Sequence, residues 1–424
     1  MGLRIGFAAI AICLAGTAQA QTAVSNDNDQ VTIRLLVQQV HELQARVTAL
    51  EATQPSSNTA TMQPDAAPVA NEVLQNEPTE LNRTLDQIHE VRGMQWRGFG
   101  EVNYQALNQR VPEFNGFGFV PGSAGNFYTG DLDLLITTRI TDKASFLGEL
   151  VIGEGDAQSF RVSMDRLLLK YDWNEHLQAS FGRYHTAIGY YNIAFHSGKW
   201  LQTTADRPFA MQFADDGGLL PTQAIGFELN GKIPSGKFGA HYRFEYGSSD
   251  TIRPELDRPA EVDENNGNHL NVGTFFRPDW ARGLQIGASY YHDRISDFHR
   301  GPAVRLAQTI VNGHVVYEGH GWEILNEGLL IRHAYEQSGP VYNMPAFYTQ
   351  FAKRFGKIRP YARYQYANSN PMSVFEDVRL RRGPSLGARY DFTDNIAFKA
   401  QLDHTLRKGL PALNGVQSQL AFTF

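Results

Sequence analysis

From Trp96 to Phe424 apolar and polar residues alternate with a period of two, the period at which an extended strand sends side chains to opposite faces. Ile225, Phe227 and Leu229 interleave with Gly226, Glu228 and Asn230. Phe238, Ala240, Tyr242, Phe244 and Tyr246 interleave with Gly239, His241, Arg243 and Glu245. Ile396, Phe398, Ala400 and Leu402 do the same with Ala397, Lys399, Gln401 and Asp403. Each segment runs to about ten residues, the length of a tilted strand crossing the apolar slab of a bilayer. A soluble sandwich also alternates, with one face on its core. Strands this long, repeated without interruption, suit one closed barrel better.

The connections sharpen that choice. Short turns are expected at Thr141-Asp142-Lys143, Trp173-Asn174-Glu175, Pro234-Ser235-Gly236, Asp279 to Gly283, Gly319-His320-Gly321, Gly356-Lys357 and Thr393-Asp394-Asn395. Longer polar connections lie between them: Asn108 to Gly130, Glu154 to Ser159, Thr186 to Pro221, Gly247 to Asn268, Ser296 to Asn312, Tyr335 to Asn343, Ser369 to Arg379 and Lys408 to Asn414. Seven short turns alternating with eight long loops give sixteen strands. An even count with short turns on one side is the pattern of an outer-membrane barrel whose termini share the periplasmic end. Boundaries are least marked around Val304 to Gly321. The fold class read from the chain is therefore all-β, an antiparallel transmembrane β-barrel of about 16 strands.

Ahead of the barrel the period changes. Ile33, Leu36, Val40, Leu43, Val47 and Leu50 alternate spacings of three and four, the seam of a short α-helical coiled coil. An isolated amphipathic helix packed elsewhere is the other reading. Pro55, Pro64, Pro68 and Pro78 then prevent continued helix, and Leu81, Leu85, Ile88 and Val91 could form one more short helix. Arg4, the apolar run Ile5 to Gly16 and Ala18-Gln19-Ala20 form an export signal, too short to span a bilayer. The expected division is a signal peptide at 1–20, a polar start and coiled coil at 21–51, a Pro/Ser/Asn-rich linker with a short helix at 52–94, and the barrel at 95–424.

Composition agrees with a barrel that has a wet interior. Mean hydropathy is −0.36 although aromatics reach 12%, because inward positions must be polar. No apolar stretch after Gln21 is long enough for a transmembrane helix. The single cysteine, Cys13, lies in the signal segment, so the mature chain has no disulfide or thiolate metal site. A net charge of −6 offers no basic footprint for nucleic acid.

Gly182-Arg183-Tyr184, His196-Ser197-Gly198-Lys199-Trp200, Arg207-Pro208 and Asp216-Gly217-Gly218 carry a resemblance. With the alternation, the chain resembles bacterial porins and is similar to the phosphate-selective porin O and P group. That resemblance implies export to the Gram-negative outer membrane and a homotrimer of sixteen-stranded barrels, with an inward loop narrowing each pore. Its implied partners are outer-membrane lipid and lipopolysaccharide, the barrel-assembly machinery, and small solutes or ions. Val416, Ser418, Leu420, Phe422 and the terminal Phe424 share one face, resembling the assembly signal of such barrels.

Selectivity in a pore comes from its width and from charges at its constriction. The polar half of the alternation assigns Arg139, Arg166, Lys170, Arg243, Arg363, Arg389, Lys399, Glu149, Glu228, Glu245, Asp293, Asp391 and Asp403 to the lumen, although such residues can merely pair across strands. The longest loop, Thr186 to Pro221, is too aromatic for a solvated tip, and long ordered loops are usually functional. It carries Lys199 and Arg207 against Asp206, Asp215 and Asp216. An inward constriction is one pose for it; an outer lid or trimer latch is the other. Phosphate preference would need a surplus of cationic donors, which the loop lacks. Arg379, Arg381 and Arg382 form a basic cluster near an outer loop, suited also to lipopolysaccharide phosphates.

The histidines are dispersed, so no metal site and no cofactor is expected. Two other classes compete with a channel. A lipid hydrolase would pair a serine with His241, His292, His333 or His404, but no motif supplies an orienting group or oxyanion site. An envelope protein tethered through the coiled coil would use the stalk and linker without needing sixteen strands.

Overall fold

The computed structural model describes residues 93–109, 113–115, 118–120, 125–154, 160–213, 218–249, 267–297, 304–337, 339–375 and 378–424. The signal, heptad and linker segments lie outside the described residues, as do Asp215 and Asp216.

Sixteen antiparallel strands close into one barrel. They are β1 Met94–Leu107, β2 Asn126–Arg139, β3 Ala144–Glu154, β4 Phe160–Asn174, β5 Leu177–His185 and β6 Gln223–Ile233. Next come β7 Ala240–Ser249, β8 His269–Phe276, β9 Leu284–Ser296, β10 Arg305–Gly319 and β11 Trp322–Tyr335. The last five are β12 Val341–Lys353, β13 Ile358–Asn368, β14 Leu380–Asp391, β15 Ile396–Arg407 and β16 Leu410–Thr423. Each strand pairs with its neighbours in sequence, and β1 closes the circle against β16. A two-stranded hairpin, Glu113–Asn115 with Gly118–Val120, stands apart in the connection after β1.

The short connections fall where the sequence places them, at the end of the barrel that holds both termini of the sheet. Four long connections are tighter than expected. β2 begins at Asn126, β10 at Arg305, β12 at Val341 and β16 at Leu410. The physical reason is clearest in β10. Gln308 and Asn312 look like loop residues, yet both are buried on the inner face beside Leu306 and Ile310. An inward position in a barrel tolerates either polarity, so polar content there does not signal a loop.

The outer face carries the apolar half of the alternation. Leu169, Phe181, Val272, Ile286, Val311, Leu330, Phe347, Leu402 and Val416 are all exposed. Trp96, Trp173, Trp280 and Trp322 are also exposed and mark the short-turn end, where indole rings favour the membrane interface. At the seam, the Gly98 N–H donates to the Phe424 carbonyl at 2.8 Å, and the Phe424 N–H donates back at 3.0 Å. Gly98 has no side chain because the Phe424 ring occupies the space of its Cβ.

Candidate functional site: a loop held inside the barrel

The connection from β5 to β6 runs inside the barrel. It forms a short helix, Tyr191–Ala194, and two 3-10 turns, Lys199–Leu201 and Phe209–Met211. Its aromatic and aliphatic residues explain the inward path. Ile188, Tyr190, Tyr191, Phe195, Ala210, Met211, Phe213, Leu219 and Leu220 join one buried cluster with wall residues that include Tyr291, Ile310, Leu325, Ile331 and Tyr348. Two glycines permit close approach. Gly189 at φ 80° lies against the Glu327 carboxylate, and Gly198 at φ 67° lies against the Phe99 ring. Both dihedrals favour glycine.

Wall side chains grip the loop backbone in turn. The Glu327 carboxylate accepts from the Tyr190 and Tyr191 N–H groups at 2.6 and 2.8 Å, and from the Tyr348 hydroxyl at 2.8 Å. Glu245 accepts from the Ala187 N–H at 3.0 Å, and Gln365 accepts from the Phe209 N–H at 2.8 Å. Glu323 accepts from the Thr203 hydroxyl at 2.6 Å. On the other side, Arg389 donates to the Trp200 and Gln202 carbonyls at 2.5 and 2.9 Å. Lys399 donates to the Lys199 carbonyl and, at 2.8 Å, to Gln419. Arg363 pairs with the Asp206 carboxylate and donates to the Asp206 carbonyl at 3.0 Å. Arg166 pairs with Glu149 at 2.6 Å and reaches the Ser197 hydroxyl at 2.7 Å. Buried polar groups are costly unless matched, so these contacts fix one pose for the loop.

This geometry gives contacts to several residues expected to line a pore. Arg166, Arg363, Arg389 and Lys399 face inward, but each holds the loop. Arg139 has the inward parity yet sits at the rim, donating to the Thr141 and Asp142 carbonyls at 3.1 and 2.8 Å. Arg207 turns back into the loop, bonding the Phe195 carbonyl at 3.0 Å and Asn192 at 2.8 Å, with its guanidinium over the Phe213 ring. Lys170 pairs with Asp172 at 3.3 Å. Asp403 accepts from Ser385, Gln401 and Gln417. Asp293 accepts from the Tyr291 hydroxyl, and Asp391 from Arg389. Glu228 and Arg243 line a small cavity with Arg166, Tyr184 and His185. The basic cluster is split by the strand's alternation, with Arg381 buried and Arg382 exposed.

Lys199 is different in kind. It pairs with the buried Glu101 at 3.1 Å while keeping about a third of its side chain exposed (34%). Glu101 belongs to a set of carboxylates on β1 to β4. Asp133 feels the charges of Glu149, Glu101, Asp131 and Asp165. Lys199 thus meets a carboxylate on this side of the barrel, where Glu149 is already matched by Arg166.

A second connection also folds inward. Val374, Phe375 and Val378, between β13 and β14, are buried in the same cluster as the long loop, with Phe375 against the His333 ring at 5.2 Å. The connection Ser369 to Arg379 is thus not the polar outer loop expected of it, and its apolar residues carry the same signal as those of the longer one. Of the histidines considered for a hydrolase, His292 bonds Thr309, His333 bonds Gln308 and His404 bonds Asn414, while His241 stacks on Phe275. Another set does converge. Asp165 on β4, His185 at the end of β5 and His196 in the loop bring their donor atoms within 4.8 Å of one another. The histidines are dispersed along the sequence as expected, and these three groups come together only because three separate elements supply them.

No protein-family model matches the chain, and no curated protein matches it. Solved structures with the same architecture do. An anion-selective porin from Comamonas acidovorans superposes with a TM-score of 0.51 at 12% identity, covering 78% of this chain and 99% of its own. OprB of Pseudomonas putida gives 0.51 at 9% identity, covering 82% and 99%. The outer membrane channel DcaP of Acinetobacter baumannii gives 0.51 at 9% identity, covering 78% and 97%. The fold is thus that of the sixteen-stranded outer-membrane porins.

Proposed function

We propose that this protein is an outer-membrane porin through which small hydrophilic solutes or ions diffuse passively. The observation that carries the reading is the long loop, folded into a closed barrel and held there by wall side chains on many strands. A structural barrel needs no such loop, whereas a channel uses one to set its aperture. The apolar outer belt supports a bilayer location. The porin resemblance supports a homotrimer, whereas the heptads from Ile33 to Leu50, with β-branched and leucine positions alternating, favour two strands and do not by themselves argue for three.

Ion preference is the finer part of the reading. Phosphate or other anion preference would need cationic donors presented to the solute. Arg166, Arg363, Arg389 and Lys399 instead bond the loop or its partners. With the cationic side chains committed to the loop and Glu101 on Lys199, we propose that the pore leans towards cations, against the phosphate selectivity that the family resemblance suggests. Replacing Lys199 with glutamate puts a carboxylate beside Glu101 and is expected to deepen cation preference. The check is the reversal potential under a salt gradient, wild type against Lys199→Glu; an unchanged potential would remove Lys199 from the ion path. Passage itself is tested by swelling of proteoliposomes in neutral sugars of increasing size. Swelling that falls with sugar size supports diffusion, and its absence for every sugar would count against it.

A further inference from the structure

Where the loop leaves the wall, two histidines with unpartnered ring nitrogens meet a carboxylate, the composition of a metal site. We propose that Asp165, His185 and His196 bind one divalent transition-metal ion, which ties the loop to β4 and β5.

His185 carries the argument. Its side chain is only 7% exposed, and neither ring nitrogen has a protein hydrogen-bond partner. Its Nε2 lies 3.8 Å from Asp165 Oδ2 and 3.9 Å from Glu149 Oε2, too far for hydrogen bonds. Nδ1 of His196 likewise has no protein partner. Buried polar groups are rarely left so. Around a tetrahedral ion with bonds of about 2.0 to 2.1 Å, neighbouring donors stand roughly 3.3 Å apart. The His185 and His196 rings stack face to face in this structure, centroids 3.1 Å apart, so binding requires one ring to turn until both in-plane lone pairs meet a single ion.

Arg166, Arg207 and Arg183 all stand near the two imidazoles, so a cation needs those charges offset: Arg166 is matched by Glu149 at 2.6 Å, and Arg207 donates to the loop's own carbonyls. Two imidazoles and one carboxylate without thiolate select zinc, iron, nickel or copper over calcium or magnesium. The rival occupant is a water molecule, which could bridge the same three groups.

Zinc is the probe. Untagged, folded full-length protein, stripped with chelator and dialysed, should take up one zinc ion per chain in titration calorimetry. Asp165→Asn, His185→Gln and His196→Gln should each weaken binding by at least about tenfold, with folding checked by heat-modifiable gel mobility. Equal affinity in all three variants, or no uptake by wild type, would overturn the proposal. Should a variant fail to fold, copper bound to wild type gives the answer by electron paramagnetic resonance. Nitrogen hyperfine structure from two imidazoles is expected, and a spectrum without nitrogen ligands would overturn it. Neither readout depends on whether the barrel conducts.

Discussion

Arg363→Met is expected to loosen the inner loop, raising single-channel conductance and current noise and lowering the unfolding temperature. The guanidinium is fully buried and pairs with Asp206, and it also holds the Thr204 hydroxyl at 3.2 Å. Removing it leaves the carboxylate with Gln401 at 2.8 Å and Gln417 at 3.5 Å as its remaining partners. Breaking a buried pair from one side costs about 3–5 kcal/mol. Asp206 keeps a third of its surface in contact with solvent (34%), so about 2–3 kcal/mol is the better figure after screening. Adding Asp206→Asn to Arg363→Met should recover part of the loss, because the orphaned charge is then gone. Thermal melts of the wild type, both single variants and the double variant check this. Additive losses would mean that the pair does not hold the loop.

Deleting Phe424 is expected to deplete the folded barrel from the outer membrane by an order of magnitude or more, a larger effect than any single wall substitution. The residue exchanges two backbone hydrogen bonds with Gly98 where β1 meets the chain end, and its ring fills the space over that glycine. Its loss opens the last rung of the seam, the one place where closure joins the two ends of the sheet. Unpaired strand edges invite misassociation. Quantifying heat-modifiable barrel in membrane fractions is the check, and wild-type amounts of the truncated chain would refute the expectation.

The barrel was legible because alternation has a period that only extended strands satisfy, and because turn length distinguishes one end from the other. Its errors have one cause. At inward positions a polar residue such as Gln308 and an apolar one such as Ile310 are equally admissible, so boundaries drawn from polarity shifted at β10 and β16. The loop's inward pose was half legible: Tyr191, Phe195 and Phe213 demanded a place to pack, but nothing in the chain said where. The partners Glu327, Arg363 and Arg389 come from strands far along the sequence; Arg363 and Arg389 were visible only as inward charges, and Glu327 went unmarked. Their role as anchors follows from which loop atom each one meets. The same limit hid Asp165, His185 and His196, since ligand spacing along a chain informs only when one element carries the ligands. Val374 and Phe375 were a missed opportunity, being apolar residues in a segment otherwise read as a solvated loop.

The most direct measurement is single-channel recording of the purified, folded protein in a planar bilayer under a salt gradient. Stepwise openings with a reversal potential of the sign for cation preference are expected. Openings with the opposite sign would keep the channel and reverse its selectivity. Several folded preparations that insert and never open would contradict the porin reading and give the lead to an envelope protein tethered through its N-terminal segment.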